Sequence, residues 1–298
     1  MPHVRVVHRT LYRYARTVQF TPHRLMLRPR DSHDLRLRRA TLGLTPAAEA
    51  TRWAHDVFSN SICLVEWADA QSDTLDIVST LDLDHYPASA DLPRETLDPV
   101  AETYPFSYAA EEFPDLARLM ERACDDPARH VDTWVRRFLP RGRPARTMDL
   151  LAAITAAIRD DFTYAAREAE GTQPPVETLH SRRGACRDFA LLMMEAARAL
   201  GLAARFVSGY LYDEKTTDAT VGGGATHAWC AIYLPGAGWV EFDPTNGLVA
   251  GRNLIRVCSA RTAEQAVPIA GGFIGGASDF SGMTVDVSVT VEPPPAPA

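Results

Sequence analysis

Apolar and polar positions alternate in part through Val4-Arg5-Val6-Val7-His8-Arg9-Thr10-Leu11-Tyr12-Arg13-Tyr14, a stretch rich in β-branched and aromatic side chains. That pattern predicts a half-buried strand. Shorter runs, His23 to Pro29 and Leu35 to Arg38, predict further strands ended by proline or polar turns. Between Trp53 and Trp67, the polar turn Asp56-Val57-Phe58-Ser59-Asn60-Ser61 separates two apolar runs and predicts a hairpin. Residues 1–90 therefore read as a β-rich region.

The period then changes. Residues 91–144 are helical in pattern and punctuated by proline. Pro114-Asp115 can open a helix that runs through Ala123. Asp126-Pro127 offers an N-cap with proline at the first helical position, ahead of an apolar stripe of Val131, Trp134, Val135 and Phe138. Pro140-Arg141-Gly142-Arg143-Pro144 breaks the chain and marks a boundary. Beyond it, Thr147 can cap a helix from Met148 to about Arg159, in which Leu150, Leu151, Ile154 and Ile158 repeat at helical spacing. Cys186 to Leu200 is a second helical window, with Phe189, Met193, Ala196, Ala197 and Leu200 as its buried stripe and Gly201 as its C-cap. Arg187 and Asp188, in its first turn, are expected to point outward.

Arg205 to Tyr212 and His227 to Leu234 read as strands. The tight turn Pro235-Gly236-Ala237-Gly238 joins the second to Trp239-Val240-Glu241-Phe242-Asp243 as a hairpin. Gly271-Gly272-Phe273-Ile274-Gly275-Gly276 lacks the Lys-Ser/Thr of a phosphate loop and reads as a flexible turn. Val285 to Val291 alternates cleanly as a last strand, and Pro293-Pro294-Pro295-Ala296-Pro297 cannot pair. The pattern gives an α+β protein: a β-rich region (1–90), a helical connector (91–144), a core (145–251) and C-terminal strands with a tail (252–298).

Composition narrows the function. The net charge of −7 supplies no overall positive field for nucleic acid or an anionic membrane. The arginines at 24, 28, 30, 36, 38 and 39 alternate with leucines and belong on the wet face of a sheet. No run approaches the roughly 18 consecutive apolar residues of a membrane helix, and the N-terminus lacks a secretory apolar run. Five scattered cysteines with no CxxC pair argue against a disulfide framework or structural zinc and fit a reducing cytoplasm. No cofactor motif is present.

Three residues carry candidate chemistry. Cys186 stands where loop becomes helix, and the free N–H groups and dipole there favour thiolate over thiol and can donate to a developing oxyanion. Taken alone, Cys186 could equally be a small buried hydrophobe. His227 begins a strand after Gly222-Gly223-Gly224, and by itself could be a core histidine bonded to backbone. Asp243 ends the partner strand of the hairpin, where its carboxylate can reach the His227 imidazole, although Asp before Pro244 is also an ordinary turn residue. Together they supply what an activated thiol requires: nucleophile, base and orienting carboxylate. Tyr164 and Trp229 could line the cleft or donate to the oxyanion, or could simply be core aromatics with a wet edge. Cys230, alternating with Trp229, should face the core. Cys, His and Asp are also ligand types, so a metal site is a rival reading; the helix-terminal cysteine favours a metal-free thiolate.

Four blocks carry a family resemblance: Gly184-Ala185-Cys186-Arg187-Asp188-Phe189-Ala190; Val207-Ser208-Gly209-Tyr210-Leu211; His227-Ala228-Trp229; and Gly238-Trp239-Val240-Glu241-Phe242-Asp243-Pro244-Thr245-Asn246-Gly247. In this order they resemble the transglutaminase-like core over about Ala145 to Gly251. More narrowly, they resemble the bacterial transglutaminase-like proteins described as proposed cysteine proteases. Tyr12-Arg13-Tyr14 and Leu25 to Arg30 resemble the β-rich region that precedes the core in those proteins. A charged, tyrosine-containing segment expected near Val257 to Thr262 is missing.

The resemblance implies a papain-like core in which Cys186 is the nucleophile, His227 the base and acid, and Asp243 the orienting carboxylate. It implies acyl transfer at amide bonds of a peptide or protein substrate through a thioester, with hydrolysis favoured. Amine transfer by a cross-linking transglutaminase, and a peptide-binding module without turnover, are the alternatives.

Overall fold

Strand β1 (His3–Phe20) realises the alternation: Val4, Val6, His8 and Thr10 are buried, while Arg5 and Arg9 stand in solvent. The computed structural model describes residues 2–87, 89, 91–167, 169–212, 225–251 and 253–292. The Gly222–Gly224 run and the Pro293–Pro297 tail lie outside these described residues. β2 (His23–Leu25), β3 (Leu35–Thr45), β4 (Ala50–His55), β5 (Ser61–Glu66) and β6 (Gln71–His85) follow. β1 pairs antiparallel with β6, and β6 with β3. β4 and β5 form the expected hairpin. On the wet face the arginines meet aspartates across the sheet: Arg5 with Asp82 at 3.3 Å, Arg9 with Asp76 at 2.8 Å and Arg38 with Asp84 at 2.6 Å. The Arg5 and Arg9 pairs are exposed and add little stability, whereas the Asp84 carboxylate is buried.

The connector holds α1 (Leu92–Thr96), β7 (Thr103–Tyr104), α2 (Phe113–Met120) and α3 (His130–Val135). Asp126 does cap α3, but from farther back than expected. Its Oδ1 accepts the His130 N–H at 2.8 Å and its Oδ2 the Val131 N–H at 2.9 Å. Arg129 sits at φ +54°, which keeps Pro127 out of the helix. β8 (Ala145–Arg146) pairs with β7 and leads into α4 (Thr147–Asp161), so Thr147 lies inside the helix rather than capping it. β9 (Thr163–Tyr164), α5 (Pro175–Ser181) and β10 (Arg183–Gly184) then deliver the chain to α6 (Cys186–Ala199), and Gly201, at φ +78°, closes that helix.

β11 (Ala204–Leu211), β12 (His227–Leu234), β13 (Gly238–Asp243), β14 (Leu248–Val249) and β15 (Leu254–Ala260) form one antiparallel sheet in the order β14-β13-β12-β11-β15. Alternation divides its residues between two cores. Phe206, Ala228, Cys230 and Ile232 pack with α3, α4 and α6, as the reading of Cys230 expected. Val207, Trp229, Ala231 and Leu254 cluster on the other face.

Helix α6 is buried nearly all round, not along one stripe, because the connector covers its outer side. The buried Glu195 carboxylate accepts from Arg122 Nε at 2.8 Å, the Ala123 N–H at 3.1 Å and Arg198 at 3.3 Å.

β16 (Ile269–Ala270), β17 (Phe273–Ile274) and β18 (Phe280–Glu292) return to the N-terminal sheets. The glycine-flanked Phe273-Ile274, read as a flexible turn, is a short strand paired with Gln19 and Phe20; its Phe273 packs on Tyr14. β18 pairs with β1 from His3, opposite Glu292, to Tyr14, opposite Phe280. The N-terminal sheet and the core share apolar contacts: Val4, Val6, Leu81 and Leu83 pack with Tyr210, Tyr212, Ile255 and Val257. Two buried histidines pin the junction, with His8 bonded to the Tyr210 hydroxyl at 3.0 Å and His85 to that of Tyr212 at 2.9 Å.

Candidate functional site

Cys186 is the first residue of α6 and is nearly buried. Its approach is shaped by Gly184, where a Cβ would lie 2.9 Å from Asp188 Cβ and 3.1 Å from the Phe189 ring. Only glycine lets β10 pass this close to the helix start. β10 pairs in parallel with β9, Gly184 opposite Tyr164, which brings Tyr164 beside Cys186. By position, the Cys186 and Arg187 N–H groups have no acceptor within the helix.

Asp188 does not point outward. It is wholly buried, with Oδ2 accepting the Ala185 N–H at 2.8 Å and Oδ1 the Gln173 N–H at 2.9 Å. Arg167 Nε donates to the same carboxylate at 2.9 Å. Ala185 has no side-chain acceptor, so this is the carboxylate half of a capping box alone. Arg187, half-buried, turns back and donates to the carbonyls of Arg167 and Ala169 at 3.0 and 2.6 Å. The segment from Ala165 to Gln173 draws both side chains inward, which helical spacing could not foretell.

His227 opens β12 opposite Gly209 of β11. A Cβ on Gly209 would stand 2.0 Å from the Ile255 carbonyl oxygen and 2.9 Å from the Trp229 ring, so the strands and the indole close up only over glycine. The antiparallel β12–β13 pairing places Asp243 beside the imidazole, and His227 Nε2 donates to Asp243 Oδ2 at 2.8 Å. Nδ1 has no hydrogen-bond partner among the described residues, and the Cys186 sulfur also interacts with the ring. Burial opposes a charge on His227, but the Asp243 carboxylate and the Cys186 sulfur outweigh it and push its pKa up to about 10.

Asp243 is held below the usual carboxylate range against its burial, by His227 and by a turn of donors. Thr245 N–H donates to Oδ1 at 2.9 Å and Asn246 Nδ2 to Oδ2 at 2.8 Å. Asn246 is a site residue that sequence reasoning left without a role. Its signal was the Asp-Pro-Thr-Asn turn, where an Asp side chain gathers the donors that follow it.

The two aromatic candidates separate. Tyr164 is 36% exposed, and burial together with the nearby Cys186 sulfur raises its phenol pKa. Trp229 has no exposure at all, so it cannot line an open cleft. It lies behind the imidazole, ring centres 6.0 Å apart and planes 28° from parallel. Its indole neighbours the buried Glu241 carboxylate, which accepts from Arg256 at 2.9 Å, and Arg256 in turn bonds Asp34 at 3.1 Å. The N-terminal region is thereby linked by side chains to the back of the site.

Among the described residues no group of three or more His, Cys, Asp or Glu is disposed to hold a metal. None of their helices is long and apolar enough to cross a membrane. A thiol, a buried imidazole with one nitrogen fixed, and helix N–H donors together can carry nucleophilic attack on a carbonyl.

Residues 140–244 match the model of the transglutaminase-like superfamily, and residues 4–84 that of the bacterial transglutaminase-like N-terminal region. An uncharacterized protein of Mycobacterium tuberculosis is 30% identical over 304 residues, an alignment covering 97% of this chain and 92% of that protein. Another, from Mycobacterium leprae, is 37% identical over 109 residues, 35% of this chain and 38% of its own. A solved structure from Cytophaga hutchinsonii, described as a proposed cysteine protease, superposes with a TM-score of 0.69 at 18% identity. The match covers 98% of this chain and 91% of that one, and at that identity the likeness speaks for the transglutaminase-like fold. With both family regions matched in order and a relative aligned end to end, the chain belongs to the bacterial transglutaminase-like family.

Proposed function

We propose that this protein is a thiol-dependent acyl-transfer enzyme acting on amide bonds of peptide or protein substrates, and that its normal acceptor is water. One observation carries the reading: His227 is fixed through Nε2 on Asp243, its Nδ1 has no hydrogen-bond partner among the described residues, and the Cys186 sulfur interacts with the ring. The raised imidazole pKa supports a protonated His227, ready to give up its proton, beside the Cys186 sulfur at neutral pH.

In the proposed reaction the Cys186 sulfur attacks the amide carbonyl carbon, and the oxygen takes up negative charge toward the Cys186 N–H. His227 gives its proton to the amide nitrogen as the C–N bond breaks, releasing the amine and leaving a thioester. Neutral His227 then takes a proton from water, the hydroxide attacks the thioester, and the carboxylic acid leaves as thiolate and imidazolium return. Asp243 keeps the ring oriented, and Tyr164 lines the acyl side.

The test is mass spectrometry of a peptide library incubated with the enzyme, with and without a primary amine. New termini that disappear with Cys186→Ala support hydrolysis at a peptide bond, and a gain of ~1 Da on Gln or Asn places hydrolysis at side-chain amides. Amine incorporation would assign the transferase reaction instead. Substrate unchanged in every arm, with Cys186→Ala retaining full biological activity, would leave a peptide-binding module.

A further inference from the structure

Between the N-terminal sheet and the outer strand of the core sheet lies a polar cavity of about 260 Å³, lined by Arg30, Asp34, Asn60, His85, Arg205 and Arg256 among others. It is smaller than the ~300 Å³ at which sites for drug-sized ligands begin. None of the triad residues lines it.

Its charges are unevenly matched. Arg256 is neutralised by Glu241 and Asp34, at 2.9 and 3.1 Å. His85 is neutral, because burial pushes its pKa down to about 4. The Asn60 amide is spent on the Ser259 carbonyl and Asp56. Arg205 is different. Its guanidinium stacks on the Trp239 ring at 4.1 Å, yet makes no ion pair or hydrogen bond among the described residues, and its Nε is buried without a partner. Burial and the neighbouring Arg256 pull its pKa down to about 10, with Glu241 opposing them in part. Arg30, exposed at the mouth, spends one N–H on the Ser59 carbonyl at 2.9 Å and forms no ion pair among the described residues. A partly buried guanidinium facing a polar cavity calls for an oxyanion, which can accept from it in pairs.

We propose that this cavity is a binding site for a small oxyanion, a carboxylate or a phosphate, held by Arg205 from within and Arg30 from the mouth. The ligand would give Arg205 the ion-pair partner that it lacks among the described residues. The site stands apart from the triad, so it holds or fails independently of the proposed reaction.

Isothermal titration of the full chain with sodium acetate, and separately with inorganic phosphate, at constant ionic strength tests it, with tryptophan fluorescence following Trp239. Saturable binding at one site per chain is expected, and the tighter of the two arms names the ligand chemistry. Arg205→Met should weaken that binding by at least about tenfold, roughly 1.4 kcal/mol, while Arg205→Lys should retain part of it. Arg30→Ala, a surface change, should weaken it severalfold and carries the test if Arg205→Met fails to fold. Cys186→Ala should bind as the unaltered protein does. Absence of saturable binding of both anions, or affinity unchanged by the foldable arginine variants, would overturn the proposal.

Discussion

Replacing Asp188 by alanine removes the acceptor on which the start of α6 is built. Three donors lose their partner at once: the Ala185 N–H at 2.8 Å, the Gln173 N–H at 2.9 Å and Arg167 Nε at 2.9 Å. Asp188 itself is wholly buried, and Arg167 about a quarter exposed. Breaking a buried pair by deleting one partner costs about 3–5 kcal/mol. The exposure of Arg167, which lets water reach it, argues for the lower end. The two stranded N–H groups would each cost about 1–3 kcal/mol if nothing replaced the carboxylate, and water entering the gap offsets part of that. A loss of about 3–5 kcal/mol follows. At the 2–4 °C per kcal/mol of a domain of 150–250 residues, that is a fall on the order of 6–20 °C in melting temperature.

Asp188→Asn keeps one oxygen acceptor and should lie between. The functional readout is the rate at which iodoacetamide labels Cys186 at pH 6–7, followed by mass spectrometry. With Ala185 released, the first turn loosens and the labelling advantage of Cys186 over the other four cysteines should shrink by tenfold or more. A variant that melts within 2 °C of the parent and labels at the parental rate would refute the claim that Asp188 positions the nucleophile.

Asn246→Ala removes one charge-assisted donor to Asp243, worth about 1.5–3 kcal/mol. It should slow Cys186 labelling about tenfold and lower the melting temperature by about 3–12 °C; an unchanged rate would exclude Asn246 from orienting the triad. Gly209→Ala forces a methyl to 2.0 Å from the Ile255 carbonyl, so overpacking of about 1–3 kcal/mol or more should appear as a lower urea midpoint. A midpoint equal to the parent's would show that the strands can part there freely. The raised His227 pKa gives a stability contribution that is complete below about pH 6.5 and lost as pH climbs through about 10. The difference in unfolding free energy between the parent and His227→Gln should therefore shrink across that window, and a difference constant from pH 6 to 10 would contradict it.

The strands, the Cys186 helix and the β12–β13 hairpin were legible because each is announced locally, by alternation, helical spacing or a glycine-proline turn. The Asp243–His227 pairing followed from the hairpin alone, since a short turn leaves little freedom of register. What escaped the sequence depends on segments distant along the chain. Asp188 sits where an isolated helix would wet it, and only the loop from Ala165 to Gln173 turns it inward. Alternation put Trp229 on the His227 side of β12, but whether that side is open or covered is decided by Glu241, Arg256 and Asp34 behind it. Phe273-Ile274 pairs with β1 more than 250 residues earlier, a distance at which no local pattern speaks.

The pairing of β1 with β18 sets the order in which the molecule can be completed. β1 is synthesised long before β18, its neighbour on one side, with His3 opposite Glu292. The N-terminal sheet must wait with one face of its hydrogen-bond ladder unfilled while the core is synthesised, since a nascent chain folds from its beginning. Contacts of such sequence separation slow folding. They also make His3 and Glu292 neighbours in space, so a short peptide linking the two, with the chain reopened at an exposed loop, would retain every strand pair described above.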